Sequence, residues 1–178
     1  MKADGQINLN NKAINLNTKT VFAGIIIPLE VRWGSQSSIY IARDMELLKL
    51  ARQSGCRALL VGFESIYQDS LQEVHKKYNV AEYEKMIYNI HKAGIAVDAS
   101  LIFGFENENE SIVKETVNFL IRNEIELTQF SILTPYPGTK LYDKMVQNDL
   151  ITNYNWDYYD QFHMVLKHKN WSTDSLNT

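Results

Sequence analysis

A chain of 178 residues, 45% hydrophobic and 22% charged, has the length and apolar content for one domain with a real core. A net charge of −3 gives no electrostatic footprint for nucleic acid or for an anionic membrane. The single cysteine excludes an internal disulfide and a cysteine-built metal cage within the chain, and suits a reducing cytoplasm.

Residues 1–20 crowd Asn8, Asn10, Asn11, Asn15 and Asn17 into a polar stretch of little periodicity, expected to be loosely attached. Residues 21–27 are compatible with a buried strand or with part of a helix. The apolar run over 21–29 is too short to span a bilayer and lacks the flanks of a signal peptide. Residues 1–30 are therefore left as a poorly defined N-terminal segment. Residues 31–41 read as a strand carrying Trp33, Ile39 and Ile41, with a Gly-Ser-Gln-Ser-Ser interruption.

From there the order is regular. Asp44 can cap a helix with Leu47, Leu48 and Ala51 on one face, closed by Gly55. Residues 56–63 are apolar but for Arg57 and read as a strand buried on both sides. A short helical turn at 71–77 precedes a helix over 81–93 with Tyr83, Ile87 and Ile90 inward and Gly94 at its end. Residues 95–103 form the next strand, followed by Gly104 and a solvated acidic loop, Glu106 to Glu110. The helix after it is expected to bury Val113, Val117, Leu120 and Ile121. Alternation then resumes at 127–132 and stops at Pro135 and Pro137, which lack the N–H a ladder needs. Gly138 supplies a turn, and Thr139 caps a helix to about Asn148. An aromatic segment follows from Asn153, with a frayed tail from residue 168. Strand, loop and helix recur in a way that implies parallel strands, and no Gly, Pro or Ser linker divides the chain.

Three strand ends carry the candidate chemistry, because ligands bind at the carboxyl ends of strands in such folds. Glu64, after Val61-Gly62-Phe63, could accept hydrogen bonds from vicinal hydroxyls such as a ribose; it could equally mark the chain leaving the core. Gly104 would let a ligand approach the backbone and Ile102 could pack on a flat ring; a plain bend is the alternative. Cys56 reads as a core cysteine. His75, His91, His163 and His168 show no ligand spacing, and the first two read as surface. No glycine-rich phosphate loop or zinc pattern is present. Trp156, Tyr159 and Asp160 could stack on a ligand or close a core.

Taken in order, several motifs resemble one family: Trp33-Gly34-Ser35-Gln36-Ser37-Ser38-Ile39, Ser54-Gly55-Cys56, Val61-Gly62-Phe63-Glu64-Ser65, Ile102-Phe103-Gly104-Phe105, Leu133-Thr134-Pro135-Tyr136-Pro137-Gly138-Thr139 and Trp156-Asp157-Tyr158-Tyr159-Asp160. They look like the later half of the radical SAM (S-adenosylmethionine) core, in the subfamily that often carries an N-terminal cobalamin-binding domain. The resemblance spans residues 31–167 and implies an α/β fold, an incomplete parallel barrel of about four strands with outer helices. It implies that Glu64 contacts the SAM ribose, with Ser65 beside it in the cofactor site, Ile102 and Gly104 the adenine, and the backbone at Thr134 and Pro135 the adenine edge. Gln36 and Ser37 would face the substrate.

The family's [4Fe–4S] cluster is held by cysteines after its first strand, and Cys56 is in the wrong place to be one of them. The glycine-rich segment that grips the methionine amine is also missing, so no catalytic or metal-ligating residue is assigned. The expected function is the SAM-binding, substrate-facing half of an enzyme that cleaves SAM reductively, inactive alone, with cobalamin possible in the full-length protein. A non-catalytic scaffold or remnant is the alternative, and an unrelated barrel enzyme a third. The expected partner is an N-terminal half or a second copy at the open barrel edge, in the cytoplasm, with neither nucleic acid nor membrane involved.

Overall fold

The computed structural model describes residues 26–171. The asparagine-rich segment and most of the 21–27 stretch lie outside the described residues. Four strands, β1 (Trp33–Ser37), β2 (Cys56–Glu64), β3 (Ala96–Phe103) and β4 (Leu127–Ile132), form one sheet in the order β1-β2-β3-β4, every neighbour parallel. The helices are α1 (Met45–Gln53), α2 (Gln68–Glu73), α3 (Tyr83–Lys92), α4 (Ser111–Arg122) and α5 (Lys140–Gln147). The expected α/β half-barrel is borne out.

Local chemistry explains the boundaries. Asp44 Oδ1 accepts from the Leu47 amide at 2.9 Å and Thr139 Oγ1 from the Tyr142 amide at 3.2 Å, so both expected caps start their helices. The strand read over 31–41 stops earlier, at Ser37. Ser38 Oγ accepts from the Tyr40 amide, and a 3-10 turn over Ile39–Arg43 buries Ile39 and Ala42 in place of extended chain.

The core lies on one side of the sheet. Leu59, Val61 and Phe63 of β2 and Val97, Ala99 and Leu101 of β3 pack under Leu48 and Ala51 of α1, Tyr83, Met86, Ile87 and Ile90 of α3, and Phe119 and Leu120 of α4. Each such burial stabilises the fold by about 1.5–3 kcal/mol before entropy is counted. The Tyr83 hydroxyl donates to the Phe63 carbonyl at 2.9 Å, so this polar atom is satisfied inside the core. Strand β2 was expected to be buried on both faces, yet Ala58, Leu60 and Gly62 alternate with the buried set and are only half-covered.

Helix α4 corrects a second reading. It buries Ile112, Thr116, Phe119 and Leu120, whereas Val113, Val117 and Ile121 are exposed. Both stripes are apolar at helical spacing, and only the tertiary contacts choose between them. Of the stretch from residue 168 read as a frayed tail, residues 168–171 pack against the domain. Trp171 packs on Phe103 and Ile112, His168 Nε2 meets the Phe105 carbonyl at 2.7 Å, and Asn170 Nδ2 donates to the Glu108 carbonyl.

Candidate functional site

The uncovered face of the sheet is where the chemistry gathers. Register pairs Gln36 with Leu60, Leu60 with Asp98, Gly62 with Ser100, Ser100 with Gln129 and Ile102 with Ser131. Paired residues in a parallel ladder share a face, so these positions line one surface, opposite the core. Apart from Leu60 and Ile102 it carries polar side chains and a glycine, where the other face is apolar throughout β2 and β3. Gln129 Nε2 donates to Asp98 Oδ2 at 2.9 Å across it, and Asp98 Oδ1 is a buried acceptor without a partner.

At the carboxyl end of β2 an irregularity between Gly62 and Glu64 breaks the ladder, and Glu64 takes φ = 64°. That left-handed backbone folds the carboxylate back over Gly62. A Cβ at Gly62 would stand 2.8 Å from Glu64 Oε1, so the glycine is what makes the room. Lys76 Nζ meets the same Oε1 at 2.9 Å. Burial alone would lower the Lys76 pKa; the hydrogen bond and charge of Glu64 outweigh it, and the net shift is upward.

Beside it, Glu108 is fully buried. Oε1 accepts from Ser65 Oγ at 2.8 Å and Ser70 Oγ at 2.9 Å; Oε2 accepts from the amides of Gly104 at 3.0 Å and Phe105 at 3.3 Å. One carboxylate therefore ties the ends of β2 and β3 together. The acidic loop is not uniformly solvated: Glu106 pairs outward with Lys144 and Lys169, while Glu108 turns in. Burial pushes the Glu108 carboxyl up, against the pull of its four donors.

Between the ends of β3 and β4 lies a cleft of about 230 Å³ bordered by Ser100, Ile102, Ser131, Thr134, Tyr136 and Gln161. A larger depression of about 380 Å³ sits at the opposite end, around Arg57, His91 and Glu126. The first is the better ligand site, because it is at the carboxyl ends of the strands. At the other end Glu126 is already committed to the Val97 amide and to His91.

No protein-family model matches the sequence. The bacteriochlorophyllide d C-12(1)-methyltransferase of Chlorobaculum tepidum is 36% identical over 149 residues, 83% of this chain and 32% of that protein. The anaerobic magnesium-protoporphyrin IX monomethyl ester cyclase of Cereibacter sphaeroides is 28% identical over 169 residues, 94% of this chain and 27% of that protein. Among solved structures, the radical S-adenosylmethionine methyltransferase TsrM of Kitasatospora setae, with cobalamin and a [4Fe–4S] cluster bound, superposes with a TM-score of 0.61 at 19% identity, over 74% of this chain and 28% of that one. The chain has the fold of the second half of a radical SAM core. It spans between about a quarter and just over a third of the length of the first four curated relatives it matches.

Within this half-core Ile102 and Thr134 share the cleft, while the Glu64 carboxylate lies over Gly62 and Gln36 stands beside Leu60, both on the same open face. Pro135 is buried next to Thr134, whose Oγ1 donates to the Ile132 carbonyl at 2.9 Å. Ser65 and Gly104 are engaged otherwise. The Ser65 hydroxyl is buried, donating to Glu108 and accepting from the Tyr67 amide. Gly104 has φ = 99°, and a Cβ there would meet Met164 Cε at 3.0 Å, so its missing side chain is filled from the protein itself. Ser37 shares its register with Val61 on the helix-covered side, because successive strand residues point to opposite faces.

Tyr159 joins the core, while Trp156 is exposed against its ring at 4.8 Å and Asp160 binds His163 at 2.8 Å. Of the histidines read as surface, His91 is partly covered and pairs with Glu126. Cys56 is buried at the start of β2, its Sγ donating to the Ala58 carbonyl at 3.6 Å, and desolvation pushes its thiol up. An iron–sulfur cluster needs accessible thiolates, so Cys56 does not fit as a cluster ligand. Among the described residues no group of three or more His, Cys, Asp or Glu side chains could hold a metal ion, and no helix is long and apolar enough to cross a membrane. Lys76 and Glu108 were missed from the sequence. The signal available for Glu108 was its spacing from Gly104; Lys76 left none.

Proposed function

We propose that this half-core binds the nucleoside of SAM and presents the substrate-facing wall of a radical SAM enzyme. The observation that carries the reading is the Glu64 carboxylate, turned by a left-handed backbone over the open face of the sheet, beside the cleft at Ile102 and Thr134. A carboxylate held there accepts from both hydroxyls of a ribose. Ile102 offers an apolar edge to adenine, Thr134 and Pro135 frame the ring's polar edge, and Gln36 donates to a substrate further across the face. The relatives' names, a bacteriochlorophyllide methyltransferase and a magnesium-protoporphyrin ester cyclase, support a large flat macrocycle as the substrate class.

When bound to a reduced cluster, SAM supplies a 5′-deoxyadenosyl radical. Cys56 cannot provide the cluster's thiolates, so these come from another polypeptide segment, together with any cobalamin. Edge strand β1, with Gly34, Ser35 and Gln36 exposed, is the place for that segment's strand, or for a second copy, to pair. Light scattering behind size exclusion tests this: self-association is expected of the chain by itself, and a clean monomer would contradict it. Calorimetry with SAM tests the site. Weak binding that Glu64→Ala abolishes is expected, because nothing assigned here grips the methionine end; tight binding indifferent to Glu64→Ala would sink the reading and favour a non-catalytic scaffold.

A further inference from the structure

We propose that Lys76 is the positioning residue of the nucleoside site: its ammonium fixes the Glu64 carboxylate over Gly62, aimed into the open face. The inference rests on the reading of Glu64 given above and assigns the group that makes that residue usable.

A glutamate at a strand end ordinarily swings into water. Glu64 does not; its side chain is only 15% exposed, over a glycine and against Lys76. Backbone twist sets the direction in which the side chain leaves, but the remaining side-chain torsions stay free unless something holds the carboxylate. Within the site, Lys76 is the cation that does so.

Lys76 is itself held from two sides. Its Nζ stands 5.4 Å from the centre of the Tyr78 ring, which is buried and packs edge-on against Tyr40 at 5.0 Å. Tyr78 Oη and Ser38 Oγ lie 3.3 Å apart, and the Tyr40 hydroxyl donates to the Lys77 carbonyl at 2.8 Å. The strap of Lys76, Lys77 and Tyr78 is thereby pinned to the turn that follows β1. Lys76 reaches Glu64 from a fixed base, which lowers the entropy lost in forming the pair. The ammonium occupies Oε1, and Oε2 remains to accept from a ligand hydroxyl; a second hydroxyl can share Oε1, whose lone pairs serve two donors. Lys76 thus acts through Glu64, setting where the acceptor stands.

Two measurements test this on the full chain. The first needs no ligand: the ε-ammonium resonance of Lys76 in 15N-resolved NMR should be protected from exchange, and Glu64→Gln should remove that protection. An ammonium that exchanges like a free lysine would overturn the proposal. The second is S-adenosylhomocysteine affinity by calorimetry. Lys76→Met should weaken it by roughly 5- to 10-fold, an amount in keeping with a partly buried ion pair. Lys76→Arg should restore most of the loss. If Glu64→Ala abolishes binding but Lys76→Met leaves it unchanged, this proposal fails while the nucleoside site stands. If Glu64→Ala itself has no effect, the reading of the site fails first.

Discussion

The two faces of the sheet are built from alternate residues of the same strands, and they do different work. On the covered face Leu59, Val61, Phe63, Val97, Ala99 and Leu101 are all at most 2% exposed. On the other, Leu60, Gly62, Ser100 and Ile102 are half-covered, and Gln36 and Gln129 reach outward. Parallel sheets are usually sheathed by helices on both sides. Here only one side has them among the described residues, so parity along the strand divides residues that hold the fold from residues free to meet a ligand. A side chain can be small and polar on the open face because its neighbour carries the packing.

The largest effect should come from crossing that divide by one residue. Leu101→Ala removes a fully covered side chain and should destabilise the chain by about 2–5 kcal/mol. Ser100→Ala, the next residue on the open face, should change stability by about 0.5 kcal/mol or less. Urea titration of the pair decides it. Equal losses would mean that the open face is packed after all.

Glu108 sits at the seam where the covered core meets the carboxyl-end site. Glu108→Ala leaves the Ser65 and Ser70 hydroxyls and the Gly104 and Phe105 amides without their acceptor. Even one stranded donor costs about 1–3 kcal/mol. Titration sharpens the point. Burial raises the folded pKa above the unfolded one, so the carboxyl's contribution is fully present below the ordinary carboxylate range and is lost as pH rises through the folded value. Wild-type stability should fall relative to Glu108→Gln as pH rises from the ordinary carboxylate range upward. A flat difference would show that the four donors balance burial, and one that runs the other way that they outweigh it.

Much of the covered face was legible in the sequence, because it depends on local signals: caps at Asp44 and Thr139, glycines at helix ends, and the apolar run of β2. Chain order alone gave the parallel sheet. The site was legible only in part. Glu64, Ile102 and Thr134 stand at strand ends, which sequence can mark. Lys76 comes from a loop whose path is fixed by tertiary contacts with Tyr40 and Ser38, and no local pattern announces it. Glu108 sits in an acidic run that looks solvated; its burial depends on serines 43 and 38 residues away in sequence. Ser37 was grouped with Gln36 although strand parity sends the two to opposite faces.

The smallest expected effect concerns α4, where two apolar stripes compete. Phe119 and Leu120 are each 7% exposed, while Ile121 is 72% and Val117 40% exposed. A residue left mostly in water in the folded state gains little from folding, so Ile121→Ser should shift stability by about 0.5 kcal/mol or less, and Val117→Ser, at a more covered position, by about 1 kcal/mol. What change there is should come from helix propensity, since serine replaces one ordinary helix residue with another of similar rank. Phe119→Ala in the same helix should cost several times more, within the roughly 3–5 kcal/mol range for a buried phenylalanine. Thermal melts of the three variants make the comparison within one element. A large loss at Ile121 would mean that this stripe is covered in solution, by self-association or by a segment outside residues 26–171, and that the helix has two working faces where the structure gives it one.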